Sequence, residues 1–248
     1  MHNRYIDLVQ QTFDFPLTDF EVVDGQLFFH DIPLMDLVKE HGTPLRLTYL
    51  PKIGERIQTA KKWFENARQK SGYKGSYTYC YCTKSSHFSF VLEEVLKHQV
   101  HIETSSAYDI QIVRKLVEKG WLEKDSFVVA NGYKRPLYTE YLAELINDGY
   151  HNTIPVLDNI MELNAYKKMV KGKCKLGIRI ASEEEPNFGF YTSRLGIRYN
   201  AIIDFYREQI QTDDRFELKM LHFFINTGIR DSSYYWNELR KCVNTYCD

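Results

Sequence analysis

Predicted strands and helices alternate along most of this chain, and this alternation constrains the fold more than any other feature of the sequence. Segments between many of these strands have the apolar spacing of helices, as in FSFVLEEVLKH, AYDIQIVRKLVEKG and LYTEYLAELINDG. Strands separated by helices form βαβ units, so we expect an α/β protein with a parallel sheet. The six predicted strands are YTYCYCTK, QVHIETS, FVVANG, TIPVLD, KLGIRIA and LKMLHFFI.

The number of these units predicts an incomplete barrel. A (β/α)8 TIM-type barrel takes about 250 residues, or roughly 30 for each unit. The 174 residues from Gly75 to Asp248 therefore hold about six of the eight units, in agreement with the six predicted strands. The sequence predicts either an open sheet or a barrel that lacks its last two units.

The first 44 residues precede the alternation and are predicted to form a separate N-terminal segment. This segment contains a predicted hairpin over Glu21 to Phe29 and a helix that ends at a glycine. Residues 45–248 then form the barrel part, which begins with a predicted strand over Leu45 to Leu50. An amphipathic helix follows over Ile53 to Gln69, and its predicted core face consists of Ile53, Ile57, Ala60, Trp63, Phe64 and Ala67.

Composition and charge exclude several classes of protein. The chain has 33 acidic and 32 basic residues, so its net charge of -1 gives no electrostatic reason to expect a nucleic acid or an anionic membrane as partner. No apolar run approaches the roughly 20 residues that span a bilayer, and the N-terminus lacks the apolar stretch of a signal peptide. Five cysteines show no zinc-type spacing, so we expect free thiols, no metal and a cytoplasmic location.

Alternation of side chains along the predicted strands brings polar residues to one end of the sheet. Successive side chains of a strand point to opposite faces, and the apolar positions of each strand suit covering helices. The remaining positions point into the barrel or lie at its carboxyl-terminal rim, where barrel enzymes carry their chemistry. These positions hold Lys84, Glu103, Ser105, Asn131, Asp158, Arg179 and His222.

Each of these residues also has an ordinary structural explanation. Lys84 could reach solvent from a strand end, and Glu103 and Arg179 could form a structural ion pair. His222 could be a satisfied core histidine, and Asp158 could cap the helix that begins near the next residue. Their convergence on one end of the sheet favours a functional site, although it does not identify a reaction.

The string YCYCTKSS around Lys84 resembles the lysine motif of the pyridoxal-phosphate (PLP) decarboxylases with an alanine-racemase-type barrel. That family includes diaminopimelate, ornithine and biosynthetic arginine decarboxylases. Further similar strings follow in the family's order, from about Asp31 onward: HGTPLRLTYL, HIETSSAYD, VVANGYK, PVLDNIMEL, KLGIRI, SRLGI and LHFFINTG. The strings YCYCTKSSHF, RIASEEEP, YTSRLGI and LHFFINTGIRDSSYYWNEL most resemble a bacterial branch of arginine decarboxylases. Agreement of many ordered motifs is far more specific than agreement of one.

The resemblance implies roles for individual residues. Lys84 matches the catalytic lysine that carries PLP covalently and later exchanges a proton. Glu103 and Asp109 match two acids of the second-strand motif, and Arg179 matches the arginine near the cofactor ring.

The sixth-strand motif departs from the family pattern. His222 matches an earlier histidine of that motif, whereas Phe224 stands where the family has the histidine that stacks on the cofactor. Thr227 stands in the place of a serine that contacts the phosphate. Phenylalanine can stack on a ring but can neither donate a hydrogen bond nor carry charge, so any protonation role of the stacking residue is lost.

The resemblance implies a PLP-dependent carboxy-lyase that converts arginine to agmatine and carbon dioxide in polyamine and spermidine biosynthesis. The family's homodimer, its glycine-rich phosphate loop and its C-terminal β-domain complete that active site, and the strings of the last two are not found here. We therefore expect the N-terminal segment to lead into a missing β-domain and the isolated chain to be inactive. Two alternatives remain: a non-catalytic PLP-binding homeostasis protein and a regulatory, decarboxylase-like partner.

Overall fold

The computed structural model describes residues 19–181, 195–224 and 232–248. Contacts between residues divide the chain into two compact units, Met1–Tyr49 and Leu50–Asp248, whereas the sequence predicts the boundary after residue 44.

The described part of the first unit is a small antiparallel sheet followed by a helix. Its strands are β1 (Phe20–Val23), β2 (Gln26–Phe29) and β3 (Ile32–Pro33), and helix α1 covers Leu34–His41. Asp24 and Gly25 connect β1 and β2 with φ angles of 49° and 76°, the left-handed conformation that two-residue hairpin turns require. The predicted hairpin is therefore confirmed.

The second unit contains a six-stranded sheet in which every neighbouring pair is parallel. The strands lie in the sheet in the order of the chain, and all six predicted strands are present. This confirms the α/β class and the parallel sheet. The strands are β4 (Cys80–Cys82), β5 (His101–Thr104), β6 (Val128–Ala130), β7 (Thr153–Leu157), β8 (Cys174–Arg179) and β9 (Phe216–His222).

Helices between the strands cover one face of this sheet and form the hydrophobic core with it. Ile102 of β5 and Ile178 of β8 are fully buried in this core, as is Leu142 of the covering helix α5. No helix in the described ranges is long and apolar enough to cross a membrane. The helices are α2 (Pro51–Ser71), α3 (Ser89–Leu96), α4 (Ala107–Glu118), α5 (Pro136–Asn147), α6 (Glu162–Met169), α7 (Tyr199–Phe205), which continues as a π-helix over Tyr206–Ile210, and α8 (Ser232–Cys247).

Two sequence predictions about the start of the barrel part are wrong. The segment Leu45–Leu50 is not a strand, and Leu47 in its middle is 49% exposed. A strand needs a neighbouring backbone for its hydrogen bonds, and no described residues pair with this segment.

The predicted core face of the following helix is only partly buried. Ile57 is buried, but Trp63 and Phe64 are 68% and 52% exposed. Helix α2 has 21 residues whereas α3, against which it packs, has eight, so the described residues cover only part of its length. Phe64 instead stacks on the ring of Tyr77, with 4.0 Å between the ring centroids.

Candidate active site at the carboxyl end of the sheet

Polar side chains at the strand ends lie on the side of the sheet opposite the helices, as the alternation along the strands predicts. Ile102, Ile178 and Leu221 pack on the helix side of the sheet. Their neighbours Glu103, Arg179 and His222 therefore point to the opposite side. Arg179 and His222 are also partners in the register of β8 and β9.

The side chain of Asn131, just after β6, connects two of these residues. Its Nδ2 atom lies 3.1 Å from Glu103 Oε1 and 3.3 Å from His222 Nε2. Its Oδ1 atom accepts a hydrogen bond of 2.8 Å from the backbone N–H of Gly132, which fixes the orientation of the amide. Nδ2 is therefore the donor to both Glu103 and His222.

His222 is neutral rather than a cation. Burial, assisted by the positive charges of Arg179 and Lys134, lowers the pKa of His222 to about 4. Because Nε2 accepts from Asn131, the hydrogen of the neutral ring is on Nδ1. Nδ1 is buried and has no hydrogen-bond partner in the described part of the chain, so His222 is not a satisfied core histidine.

Asp158, which follows β7, carries a second unsatisfied group. It is 3% exposed, and neither of its carboxylate oxygens has a hydrogen-bond partner among the described residues. Arg179 Nη1 lies 3.8 Å from Asp158 Oδ1. Burial raises the pKa of Asp158, while the charges of Lys134 and Arg179 oppose that rise. The explanation of Asp158 as a helix cap is wrong, because Asn159 Oδ1 accepts the bond from the Glu162 N–H at 3.2 Å.

Lys84 follows β4, and its side chain is exposed. The preceding residue, Thr83, holds this strand end to β5, because its N–H and hydroxyl both donate to the carbonyl of Glu103, at 3.0 and 3.1 Å. Cys82 is paired in register with Glu103. Burial and the charge of Glu103 raise the pKa of the Cys82 thiol, whereas backbone hydrogen bonds from Lys84 and Ser85 and the charge of Lys84 lower it. Lys84 and Glu103 thus act electrostatically on one thiol.

The remaining predicted residues of the sixth-strand motif are placed less completely. Phe224 is 51% exposed, and the guanidinium carbon of Arg179 lies 5.8 Å from the centroid of its ring. Thr227 lies outside the described residues.

Asp109 and Ser105 serve the start of helix α4 in this structure. Asp109 Oδ2 accepts hydrogen bonds from the backbone N–H groups of Ser105 and Ser106, at 2.8 and 3.0 Å, and lies 3.4 Å from the Ser105 hydroxyl. Ser106 Oγ accepts from the Asp109 N–H in return, which completes a capping box. These contacts do not join Asp109 to Asn131 or to the residues that Asn131 connects.

Sequence reasoning missed two charged residues behind the site, Lys134 and Glu162. Both are buried, and Lys134 Nζ lies 3.6 Å from Glu162 Oε2. Glu162 had a detectable signal, because an asparagine three residues before a glutamate is a helix-start pattern. Lys134 had none, since buried lysines are rare and nothing in its spacing marks it as buried.

Comparison with known proteins gives relatives of one kind, although no family model matches the chain. Arginine decarboxylase 2 of Arabidopsis thaliana is 24% identical over an alignment of 217 positions, gaps included, which covers 83% of this chain and 30% of the relative. The biosynthetic arginine decarboxylase of Bacteroides thetaiotaomicron is 25% identical over an alignment of 249 positions, gaps included, which covers 90% of this chain and 38% of the relative. The chain therefore spans about a third of the length of these curated relatives.

Solved structures with the same fold are also decarboxylases. Diaminopimelate decarboxylase from M. jannaschii, in complex with L-lysine, matches with a TM-score of 0.76 and 17% identity over 91% of this chain and 52% of that chain. The biosynthetic arginine decarboxylase from Campylobacter jejuni matches with a TM-score of 0.67 and 19% identity, over 92% of this chain and 39% of that chain. An SrLDC mutant solved in complex with PLP matches with a TM-score of 0.62 and 15% identity, over 92% of this chain and 52% of that chain. The resemblance found in the sequence is therefore confirmed: the chain is similar in sequence to biosynthetic arginine decarboxylases, and it has the fold, as a partial barrel, of the PLP-dependent amino-acid decarboxylases.

Proposed function

We propose that this chain binds PLP through Lys84 and contributes the barrel part of the active site of an amino-acid decarboxylase. The observation that carries the proposal is the hydrogen-bonded convergence of Glu103, Asn131 and His222 at the sheet end where Lys84 lies. The names of the curated relatives favour arginine as substrate, with agmatine and carbon dioxide as products. A cytoplasmic homodimer that acts in polyamine biosynthesis is part of the same proposal.

The described side chains fit PLP, which combines anionic oxygens with a flat aromatic ring. Arg179 offers a cation, and His222 Nδ1 offers a hydrogen that has no acceptor in the described chain. Phe224 offers an exposed aromatic surface, and Asp158 offers two carboxylate oxygens that have no hydrogen-bond donor among the described residues. Buried polar atoms are almost always hydrogen-bonded in folded proteins, so these two unsatisfied groups support a site that a ligand completes.

When bound, PLP supplies an electron sink for the electron pair that a departing carboxylate leaves behind. Lys84 Nζ would hold the cofactor and exchange a proton with the substrate carbon. Neutral His222 would donate a hydrogen bond from Nδ1 without adding positive charge, and Arg179 would bind an anionic oxygen.

The other candidate residues would support this arrangement. Glu103, held by Asn131, would place a carboxylate beside the lysine strand. Ser105 and Asp109 would act indirectly, because they fix the backbone just after β5. Thr227 would supply a hydroxyl to the phosphate, as the family motif implies.

The proposed cofactor lysine can be tested by spectroscopy. The purified chain is mixed with PLP, and its absorbance is recorded before and after reduction with borohydride, followed by mass spectrometry of the peptides. We expect a protein-bound band and a reduced adduct on the Lys84 peptide, both lost in Lys84→Ala. Lys97→Ala, a change of an exposed lysine just after α3, is the matched control and should keep both signals. Equal labelling of the wild type and Lys84→Ala would contradict the proposal.

Substrate preference needs a separate measurement on the PLP-loaded chain. L-arginine, L-lysine and L-ornithine are added at equal concentrations, and the change in the absorbance of bound PLP is compared. We expect arginine to perturb the spectrum at the lowest concentration. Equal responses to the three amino acids would contradict the arginine preference and leave the cofactor assignment standing.

A further inference from the structure

We propose that the buried ion pair of Lys134 and Glu162 is a positioning device for the candidate site. The pair holds the loop after β6 against the end of β7, and these two segments carry Asn131 and Asp158. The inference rests on the proposed function only for the roles that Asn131 and Asp158 would have in the site.

Lys134 joins two backbone segments with one ammonium group. Its side chain is fully buried, and Nζ donates to the carbonyl oxygens of Gly132, at 2.7 Å, and Val156. Gly132 belongs to the loop after β6, and Val156 belongs to β7. Lys134 therefore holds the loop to the neighbouring strand at the level of the strand ends.

Glu162 completes the connection from the first turn of α6. Its Oε1 atom accepts hydrogen bonds of 3.3 Å from the backbone N–H of Lys134 and from Asn159 Nδ2, and its Oε2 atom accepts one of 3.1 Å from the backbone N–H of Asp158. One carboxylate therefore binds the same loop and the residue that follows β7. The position at the start of a helix also suits a negative charge.

These contacts lead directly to the candidate site. Gly132, whose carbonyl Lys134 holds, donates its N–H to Asn131 Oδ1 and so orients the amide that reaches Glu103 and His222. Asp158, whose N–H Glu162 holds, presents beside Arg179 a carboxylate that accepts no hydrogen bond from the described residues. Displacement of the loop or of the strand end would move both groups.

The energetics of burial favour positioning over stabilisation as the role of the pair. Burial lowers the pKa of Lys134 and raises that of Glu162, and each charge offsets part of the shift of the other. Because desolvation offsets much of the attraction, apolar residues of similar volume often replace buried ion pairs without loss of stability. The pair therefore adds little to stability for the space that it fills, but it fixes the positions of two backbone segments.

The test measures hydrogen exchange of the Asn131 side-chain amide by NMR, with its signals assigned by their absence in Asn131→Asp. Both amide hydrogens have acceptors, so we expect slow exchange in the wild type. Lys134→Met should speed this exchange by about tenfold or more, because the loop opens more often. Lys97→Met is the matched control, since it removes an exposed partner of Glu94 at 3.0 Å, and it should leave the exchange unchanged.

Further variants separate positioning from stability. Ile202→Ala removes a core side chain of α7 and should lower stability without speeding this exchange. The double variant Lys134→Met/Glu162→Leu should be more stable in urea unfolding than Lys134→Met alone. Its Asn131 side-chain amide should nevertheless still exchange fast. Glu162→Gln, which keeps the shape of the side chain, serves if Lys134→Met does not fold, and it should also exchange faster. Unchanged exchange in Lys134→Met and Glu162→Gln, or slow exchange restored in the double variant, would overturn the proposal.

PLP labelling separates this inference from the proposed function. An absence of Lys84 labelling in the wild type would contradict the proposed function, and the exchange data alone would then decide the positioning role. If the wild type is labelled, Lys134→Met should require a higher PLP concentration for half-maximal labelling. The same half-maximal concentration in both proteins would contradict the positioning role.

Discussion

Asn131 Nδ2 lies 3.3 Å from His222 Nε2, although strands β7 and β8 separate β6 from β9 in the sheet. Neighbouring strands are about 4.8 Å apart, so a flat sheet would place these two backbones roughly 14 Å apart. The contact is possible because the sheet curves as a barrel does and brings the strand ends together. This curvature brings residues from distant parts of the chain together in one candidate site.

Burial of neutral His222 should make stability depend on pH. The pKa of His222 is about 4 in the folded chain, below the value of about 6.5 expected when unfolded. The unfolded chain therefore binds a proton that the folded chain does not, and stability should fall as the pH drops from about 6.5 towards 4. His222→Gln should reduce the loss of unfolding free energy between pH 7 and pH 4 by up to about 3 kcal/mol.

The measurement is urea unfolding of both proteins at several pH values across this range. His151→Gln, a change of an exposed histidine, should keep the pH dependence of the wild type. The same pH slope in the wild type and in His222→Gln would show that His222 is not buried in its neutral form.

Gly196 should tolerate no side chain. Its φ angle is 101°, and an added Cβ would lie 2.6 Å from the backbone nitrogen of Ala181. Gly196 also donates its N–H to the Asp158 carbonyl at 3.0 Å, so its backbone cannot shift freely. We expect Gly196→Ala to lower the free energy of unfolding by about 2 kcal/mol or more, measured by urea unfolding. Gly172→Ala, with no atom within 4 Å of the added Cβ, should change it little, and equal effects would contradict this account.

Asp109 should affect stability more than cofactor binding. Because its carboxylate completes a capping box with Ser106, Asp109→Ala should lower the free energy of unfolding by about 1 kcal/mol. Ser106→Ala should have a similar effect, and the two losses should not add, since each variant breaks the same box. Loss of Lys84 labelling in Asp109→Ala at unchanged stability would instead support the direct cofactor contact that the family motif implies.

The spacing of apolar residues along short segments correctly predicted the strands and the first hairpin. The six strands of the parallel sheet, the first hairpin and the direction of Glu103 and His222 follow from the spacing of apolar residues along short segments. The two wrong predictions depend on which elements lie next to a segment in the fold, and the spacing of apolar residues does not reveal this. The segment from Leu45 has the composition of a strand, but no described strand pairs with it. Trp63 is exposed because helix α2 extends beyond the end of helix α3, against which it packs.

The sequence alone determined the order of the elements, the face of each strand that points into the barrel and the place of Lys84 at a strand end, because these features depend on residues close together in the chain. Only the tertiary structure decided that Asn131 connects Glu103 to His222 and that Lys134 is buried against Glu162. Such contacts join residues far apart in the chain, and they form only where the curvature of the sheet and the packing of its helices bring those residues together.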